Sequence, residues 1–268
     1  MSTTIDVRTS GIWQTTSTIL AADGSCIVVD PAYFPRELEE LSALAAQRGR
    51  VLAVVFTHGH WDHVIGWQSF PGAAVWTSPS LADAIVSRSA LAAKNLADAS
   101  AFDARWYVER PAPLDWPAAA VGLREGQRIV QGGIAVESIL LPGHSADGLA
   151  LIVGERVLLP GDYLSPCEIP FVEDVQAYRA TLRRLLELLP NFEEVIPGHG
   201  PRLSWARAQT IAAEDLVYLD KLALAGDRRD RDAALGIPLP RAADVPGMRE
   251  HHLENCRAVG IEIAAPTG

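Results

Sequence analysis

Along its first third the chain alternates short β-rich runs with one helical stretch. Residues 16–21 and 25–29 are dominated by Thr, Ile, Val and Ala and are separated by Asp23-Gly24, a pair suited to the tight turn of a hairpin. Residues 35–47 carry apolar positions at helical spacing and stop at Gly49, which predicts an amphipathic helix. Residues 51–56, VLAVVF, are apolar without interruption, as a strand buried on both faces requires. Residues 73–77 predict another short strand.

The pattern changes after residue 78. Residues 81–96 read as a helix, and 101–120 place Trp106, Tyr107 and Trp116 in a proline-rich stretch, so that 81–120 reads as an inserted cap. Strands then return at 128–130, 134–141, 149–153 and 157–159. Residues 175–189 predict a helix, with Leu182, Leu185, Leu186 and Leu189 at helical spacing and Glu173 and Asp174 at its positive end. A strand at 194–196 precedes a long helix at 204–225, with Ser204 as its N-cap. Residues 226–268 are charged and carry prolines; they read as a C-terminal extension with one short helix at 248–257. Strands followed by helix, twice over, predict an α/β domain spanning 1–225 with two packed sheets and helices outside.

Composition narrows the function. Of 268 residues 49% are hydrophobic and 21% charged, which suits a globular core. The balance of 33 acidic against 23 basic residues, a net charge of -10, disfavours a nucleic-acid partner and leaves a small-molecule substrate. No apolar run approaches the ~20 residues of a membrane span, and the N-terminus lacks a signal pattern, so a cytoplasmic protein without a membrane partner is expected. A homo-oligomer stays open. Cys26, Cys167 and Cys256 are far apart and form no CxxC pair, so neither a disulfide framework nor a thiolate metal site is indicated.

Five of the seven histidines sit where an apolar strand ends in a Gly-, Pro- or Asp-rich loop. His58 and His60 follow VLAVVF, and residues two apart in extended chain point the same way, so both imidazoles can meet one ion. Asp62 and His63 come where the chain turns and can address a second. His144 in LLPGHS, Asp162 in LLPGD and His199 in VIPGHG repeat one grammar: strand, Pro-Gly bend, then a ligand-type residue. His251 and His252, adjacent on a charged helix, are assigned to the surface.

HxHxDH at 58–63, followed in order by His144, Asp162 and His199, resembles the metallo-β-lactamase superfamily over about residues 16–201. The resemblance implies a four-layer αββα sandwich with a metal site at one edge. By position, His58, His60 and His144 would hold one ion and Asp62, His63 and His199 a second, with Asp162 bridging. Imidazoles and carboxylates without thiolate suit two zinc ions, with iron or manganese tolerated. A bridging hydroxide would then attack a small ester, thioester or lactone, with Asp62 orienting it or moving its proton. Trp106, Tyr107 and Trp116 are expected as an apolar wall above the metals or as anchors of the insertion. Tyr163 is expected either as a donor to a developing oxyanion or as a packed residue beside the strand end.

Within the superfamily, the Trp of HWDH resembles glyoxalase II, whereas YLSPCEIP after Asp162 departs from that family. A mononuclear iron persulfide dioxygenase would use His58, His144 and Asp162 alone. A phosphodiesterase or β-lactam hydrolase of the same fold is a further alternative. His199, with His60 retained, favours the two-metal hydrolase.

Overall fold

A computed structural model describes residues 3–241 and 245–263. Its strands form two six-stranded sheets. The first runs in the order β1 (Thr4–Thr9), β2 (Thr16–Ala22), β3 (Ser25–Val29), β4 (Arg50–Val55), β5 (Ala74–Thr77) and β6 (Val121–Gly122). The second takes β7 (Arg128–Gln131), β8 (Ile134–Leu140), β9 (Leu149–Val153), β10 (Val157–Leu159), β11 (Glu194–Val195) and β12 (Leu203–Ser204) in spatial sequence. Pairing from β3 through β6 is parallel, as expected of crossovers through helices; β7 to β10 pair antiparallel, and β11 joins β10 in parallel.

The period-two alternation of strand side chains builds three cores from two sheets. In β3, Ile27 and Val29 face the inter-sheet core, where they meet Val136, Leu151 and Leu159. Cys26 and Val28, on the opposite face, pack under α1 (Pro35–Arg48). In β9, Leu149, Leu151 and Val153 point inward, while Ala150 faces α5 (Val175–Leu188) and α6 (Trp205–Arg228). The result is the predicted αββα layering.

Residues 81–96 form two helices rather than one. Ser78 caps α3 (Pro79–Val86) and Ser89 caps α4 (Ala90–Trp106), each accepting a backbone N–H two residues inside its helix. The alanine-rich α4 runs on until Tyr107 takes a left-handed conformation, so Trp106 closes a helix instead of starting a loop.

Residues beyond 225 do not trail from the domain. The last turn of α6, α7 (Arg231–Leu235) and α8 (Met248–Ala258) bury Ala234, Ile237, Met248, Cys256 and Ile261 in the core beneath α5 and α6. Arg241 is buried as well: it pairs with Asp215 at 2.8 Å and donates to the Ser165 carbonyl. The extension thereby grips the loop that follows Asp162.

Candidate metal centre

All seven predicted ligands converge at one edge of the sandwich. His58 and His60 leave the end of β4, and Asp62 and His63 lie on the single turn α2 (Trp61–Val64). His144 sits between β8 and β9, Asp162 after β10 and His199 after β11. Backbone bonds fix this edge: across the two sheets Leu149 donates to the Thr57 carbonyl and Thr16 to Gly198, and within the second sheet Gly198 donates to Gly161. Asn95 of α4 donates to the Gly59 carbonyl at 2.5 Å, pinning the loop between the first two histidines.

The donor atoms fall into two groups. In the first, His58 Nε2, His60 Nδ1 and His144 Nε2 stand 2.9, 3.0 and 3.2 Å apart. Asp162 Oδ2 lies 3.3 Å from His58 Nε2 and 3.2 Å from His144 Nε2. In the second, His63 Nε2 is 3.2 Å from His199 Nε2 and 3.3 Å from Asp62 Oδ2. Asp162 spans both groups, its Oδ1 lying 3.2 Å from His63 and its Oδ2 3.2 Å from His199.

Hydrogen bonds outside the groups set the tautomers. Thr57 Oγ1 spends its proton on Asp30 Oδ2 at 2.6 Å, so it accepts from His58 Nδ1–H. His63 Nδ1–H donates to Asp30 Oδ2, His144 Nδ1–H to the Phe171 carbonyl and His199 Nδ1–H to the Trp13 carbonyl. Four imidazoles thus aim Nε2 lone pairs inward, where those of His63 and His199 meet each other and the oxygens of Asp62 and Asp162. Such contacts repel unless a cation lies among them. Ligand atoms around a tetrahedral zinc stand about 3.3–3.4 Å apart, close to the separations here. Asp162 Oδ1 is buried and accepts no hydrogen bond, a second sign that a cation fits.

Charge agrees with geometry. Burial, with His58 and His144 alongside, holds His60 well below the ordinary histidine value and keeps its lone pair available. Burial would raise Asp162, but the imidazoles of His199, His63, His58 and His144 outweigh it and hold the carboxyl well below the usual range. Around the second group the carboxylates win: burial opposes a positive charge on His199, yet Asp162 and neighbouring acids favour one strongly enough to lift its pKa to about 10, a demand that a cation on Nε2 meets in place of a proton. These residues fit a pair of divalent cations.

A cleft of about 690 Å³ opens over the two groups and exposes His60, Asp62, His144, Asp162 and His199. Its tryptophans are Trp13 and Trp61, packed edge to face at 5.1 Å, and not those expected from sequence. Trp116 is only 2% exposed; its indole N–H donates to the Ala92 carbonyl and its ring packs on Phe56. Trp106 is 58% exposed at the end of α4, against Phe102 and outside the cleft lining. Trp116 serves the packing of the inserted segment, and Tyr107, 91% exposed, also lies outside the cleft lining. The segment still reaches the cleft, through Leu91, Lys94, Asn95 and Asp98 of α4. Tyr163 is buried and donates to the Pro142 carbonyl while accepting from His144 N–H, so its proton is spent on the His144 loop and not on a substrate.

Several contributors escaped the sequence reading. Asp30, in the left-handed region at φ 48°, bonds Thr57 and His63 together; it stands directly at the end of the strand CIVV, without the Pro-Gly bend that precedes three of the ligands. Thr15 Oγ1 donates to Asp62 Oδ2 at 3.0 Å. Glu168 lines the cleft, and burial pushes its carboxyl up to about 7. His251 is not on the free surface: it lines the cleft with its ring 5.5 Å from Phe171. His252 is buried between Tyr218 and the Ala234 carbonyl.

A family model for the metallo-beta-lactamase superfamily matches residues 10–199. A hydroxyacylglutathione hydrolase of Acidiphilium cryptum is 28% identical over 228 residues, covering 84% of this chain and 80% of that protein. A beta-lactamase-like protein 2 homolog of Caenorhabditis elegans is 26% identical over 193 residues, 70% of this chain; the match spans only 57% of that relative's length. Among solved structures, TTHA1623 in a di-iron-bound form is similar with a TM-score of 0.56 and 25% identity, over 75% of this chain and 96% of that one.

Proposed function

The chain belongs to the metallo-beta-lactamase superfamily, and we propose that it is a two-metal hydrolase of a small thioester or ester. The observation that carries this reading is Asp162, whose two oxygens reach both donor groups beneath an open cleft. His58, His60 and His144 would hold one ion and Asp62, His63 and His199 the other. Divalent ions there would polarise a carbonyl oxygen and bring the pKa of water toward ~7, so that it attacks at neutral pH.

The remaining work falls to the chain. Asp30, Thr57, Phe171 and Trp13 hold the histidines in the ligand tautomer. Asp62 lines the cleft and has its Oδ2 engaged by Thr15, which leaves Oδ1 to orient the attacking water and take up its proton. Trp13, Trp61, Phe171 and Leu91 supply apolar surface that excludes water from an acyl group. The resemblance to a hydroxyacylglutathione hydrolase supports a thioester among the small acyl substrates.

Zinc is the proposed metal, because imidazoles and carboxylates without thiolate suit it; the likeness to a di-iron structure makes iron the alternative. No helix of the described residues is long and apolar enough to cross a membrane. Three free cysteines support a reducing, cytoplasmic setting.

The test is a hydrolysis screen over thioesters, carboxylic esters, lactones, phosphodiesters and β-lactams, with metal-loaded and chelator-treated protein and with Asp162→Ala. Thioester or ester turnover lost on both chelation and substitution is expected. Turnover that survives chelation, or preferential cleavage of phosphodiesters, would overturn the reading.

A further inference from the structure

The cleft carries a charge pattern that acyl hydrolysis does not require. Beyond the ligands it is lined by four acidic residues, Asp98, Glu168, Glu173 and Glu254, while among the described residues Lys94 is the one Lys or Arg in the lining. Lys94 is already spent, 2.6 Å from Asp98. Glu173 and Glu254 are left without a Lys or Arg partner among the described residues of the lining.

Each is placed by the fold. Glu168 comes to 3.7 Å from His199 Nδ1, but that nitrogen donates to the Trp13 carbonyl. Glu173 accepts the Ala146 N–H with Oε2 at the start of α5. Glu254 stands on α8, where His251 turns its ring onto Phe171 from the adjoining turn. Burial holds His251 below its ordinary value, so it adds little positive charge at neutral pH. The same cleft is lined by the rings of Trp13, Trp61 and Phe171.

We propose that the cleft selects an apolar acyl thioester or ester whose remaining portion is uncharged or cationic, and that it rejects anionic carriers. The inference rests on the hydrolase reading above and specifies its substrate class. The acyl chain lies on the aromatic wall with its carbonyl at the ligand groups. The leaving portion then runs past Glu173 and Glu254, where like charge is repelled and a cation is drawn in. Glutathione, with two carboxylates, would meet this repulsion. This chain would thus differ in substrate from the hydroxyacylglutathione hydrolase that it resembles.

The test compares three leaving thiols that share their sulfur and differ in charge: thiocholine, N-acetylcysteamine and 2-mercaptoethanesulfonate, of which the quaternary ammonium cannot bind a metal or capture the acyl group and the sulfonate is a poor metal ligand. Their S-hexyl thioethers are measured for binding to the zinc-loaded protein by calorimetry, and their hexanoyl thioesters for turnover. The cationic and neutral thioethers should bind about tenfold tighter than the sulfonate, with the same order in 1/KM. High salt and Glu254→Gln should each narrow that gap about threefold. Equal or tighter binding of the sulfonate, or no binding of any thioether, overturns the proposal. Ordered thioether binding without any thioester cleavage leaves the selectivity standing and sinks the hydrolase reading. Cleavage of all three without order does the reverse.

Discussion

Asp162 can stand between the two donor groups because Gly198 has no side chain: a Cβ on Gly198 would lie 2.2 Å from Asp162 Oδ1. Gly198 also bonds in both directions, donating to Gly161 and accepting from Thr16, so it cannot easily retreat. Gly198→Ala should therefore push the carboxylate out of place without touching a ligand. A displacement of this kind costs about 100-fold in turnover. Metal analysis and kcat/KM on the folded variant check this; wild-type values for both would refute the account of the bend.

Asp30 holds the second donor group from behind. It accepts from His63 Nδ1, Thr57 N and Thr57 Oγ1, at 3.1, 2.8 and 2.6 Å. Asp30→Asn keeps the shape but removes the charge and offers an amide to one of these donors. Metal affinity should fall about 10–100-fold. Competition against a chromophoric chelator measures it, and an unchanged affinity would show that Asp30 is structural only.

Asn255 ties the C-terminal extension to the cleft wall. Its side chain donates to the Pro170 carbonyl at 2.6 Å and accepts the Val172 N–H at 2.9 Å. Asn255→Ala leaves both backbone groups buried and unpaired, costing about 1–3 kcal/mol each. The expected result is a lower Tm and a KM raised severalfold, with metal content unchanged. An unaltered KM in the folded variant would mean that Phe171 and Val172 hold their places without the extension.

The ligands were legible because each belongs to a short local pattern. His58, His60, Asp62 and His63 fall within one strand end, and the Pro-Gly bends before His144, Asp162 and His199 mark three more. Neighbours that depend on tertiary packing were not. Whether Trp106 or Trp116 reaches the cleft is decided by how α4 packs against α2 and α3, and no periodicity within 81–120 reports that. Ile237, Met248, Cys256 and Ile261 are apolar points scattered through a charged stretch; their partners lie on α5 and α6. The edge strand β1 is largely solvent-facing and so lacks the apolar run that marks β4.

His252 gives the protein an acid sensitivity away from the metal site. Its Nε2–H donates to the Ala234 carbonyl, so Nδ1 accepts from the Tyr218 hydroxyl at 2.9 Å. Burial lowers its pKa. Below about pH 6.5 the unfolded chain takes up a proton that the folded one resists, so its contribution to stability is full above that pH and declines as pH falls. Tm should drop less between about pH 7 and about pH 5 in His252→Gln than in the wild type, both metal-loaded. Parallel curves would remove His252 from the explanation.

Titration of metal-free protein with Zn²⁺, followed by calorimetry and by thioester turnover on the same samples, bears most directly on the two-metal hydrolase. Two equivalents per chain are predicted, with turnover complete only at the second, and the second equivalent lost in His199→Ala. One equivalent, with full turnover in His199→Ala, would contradict it.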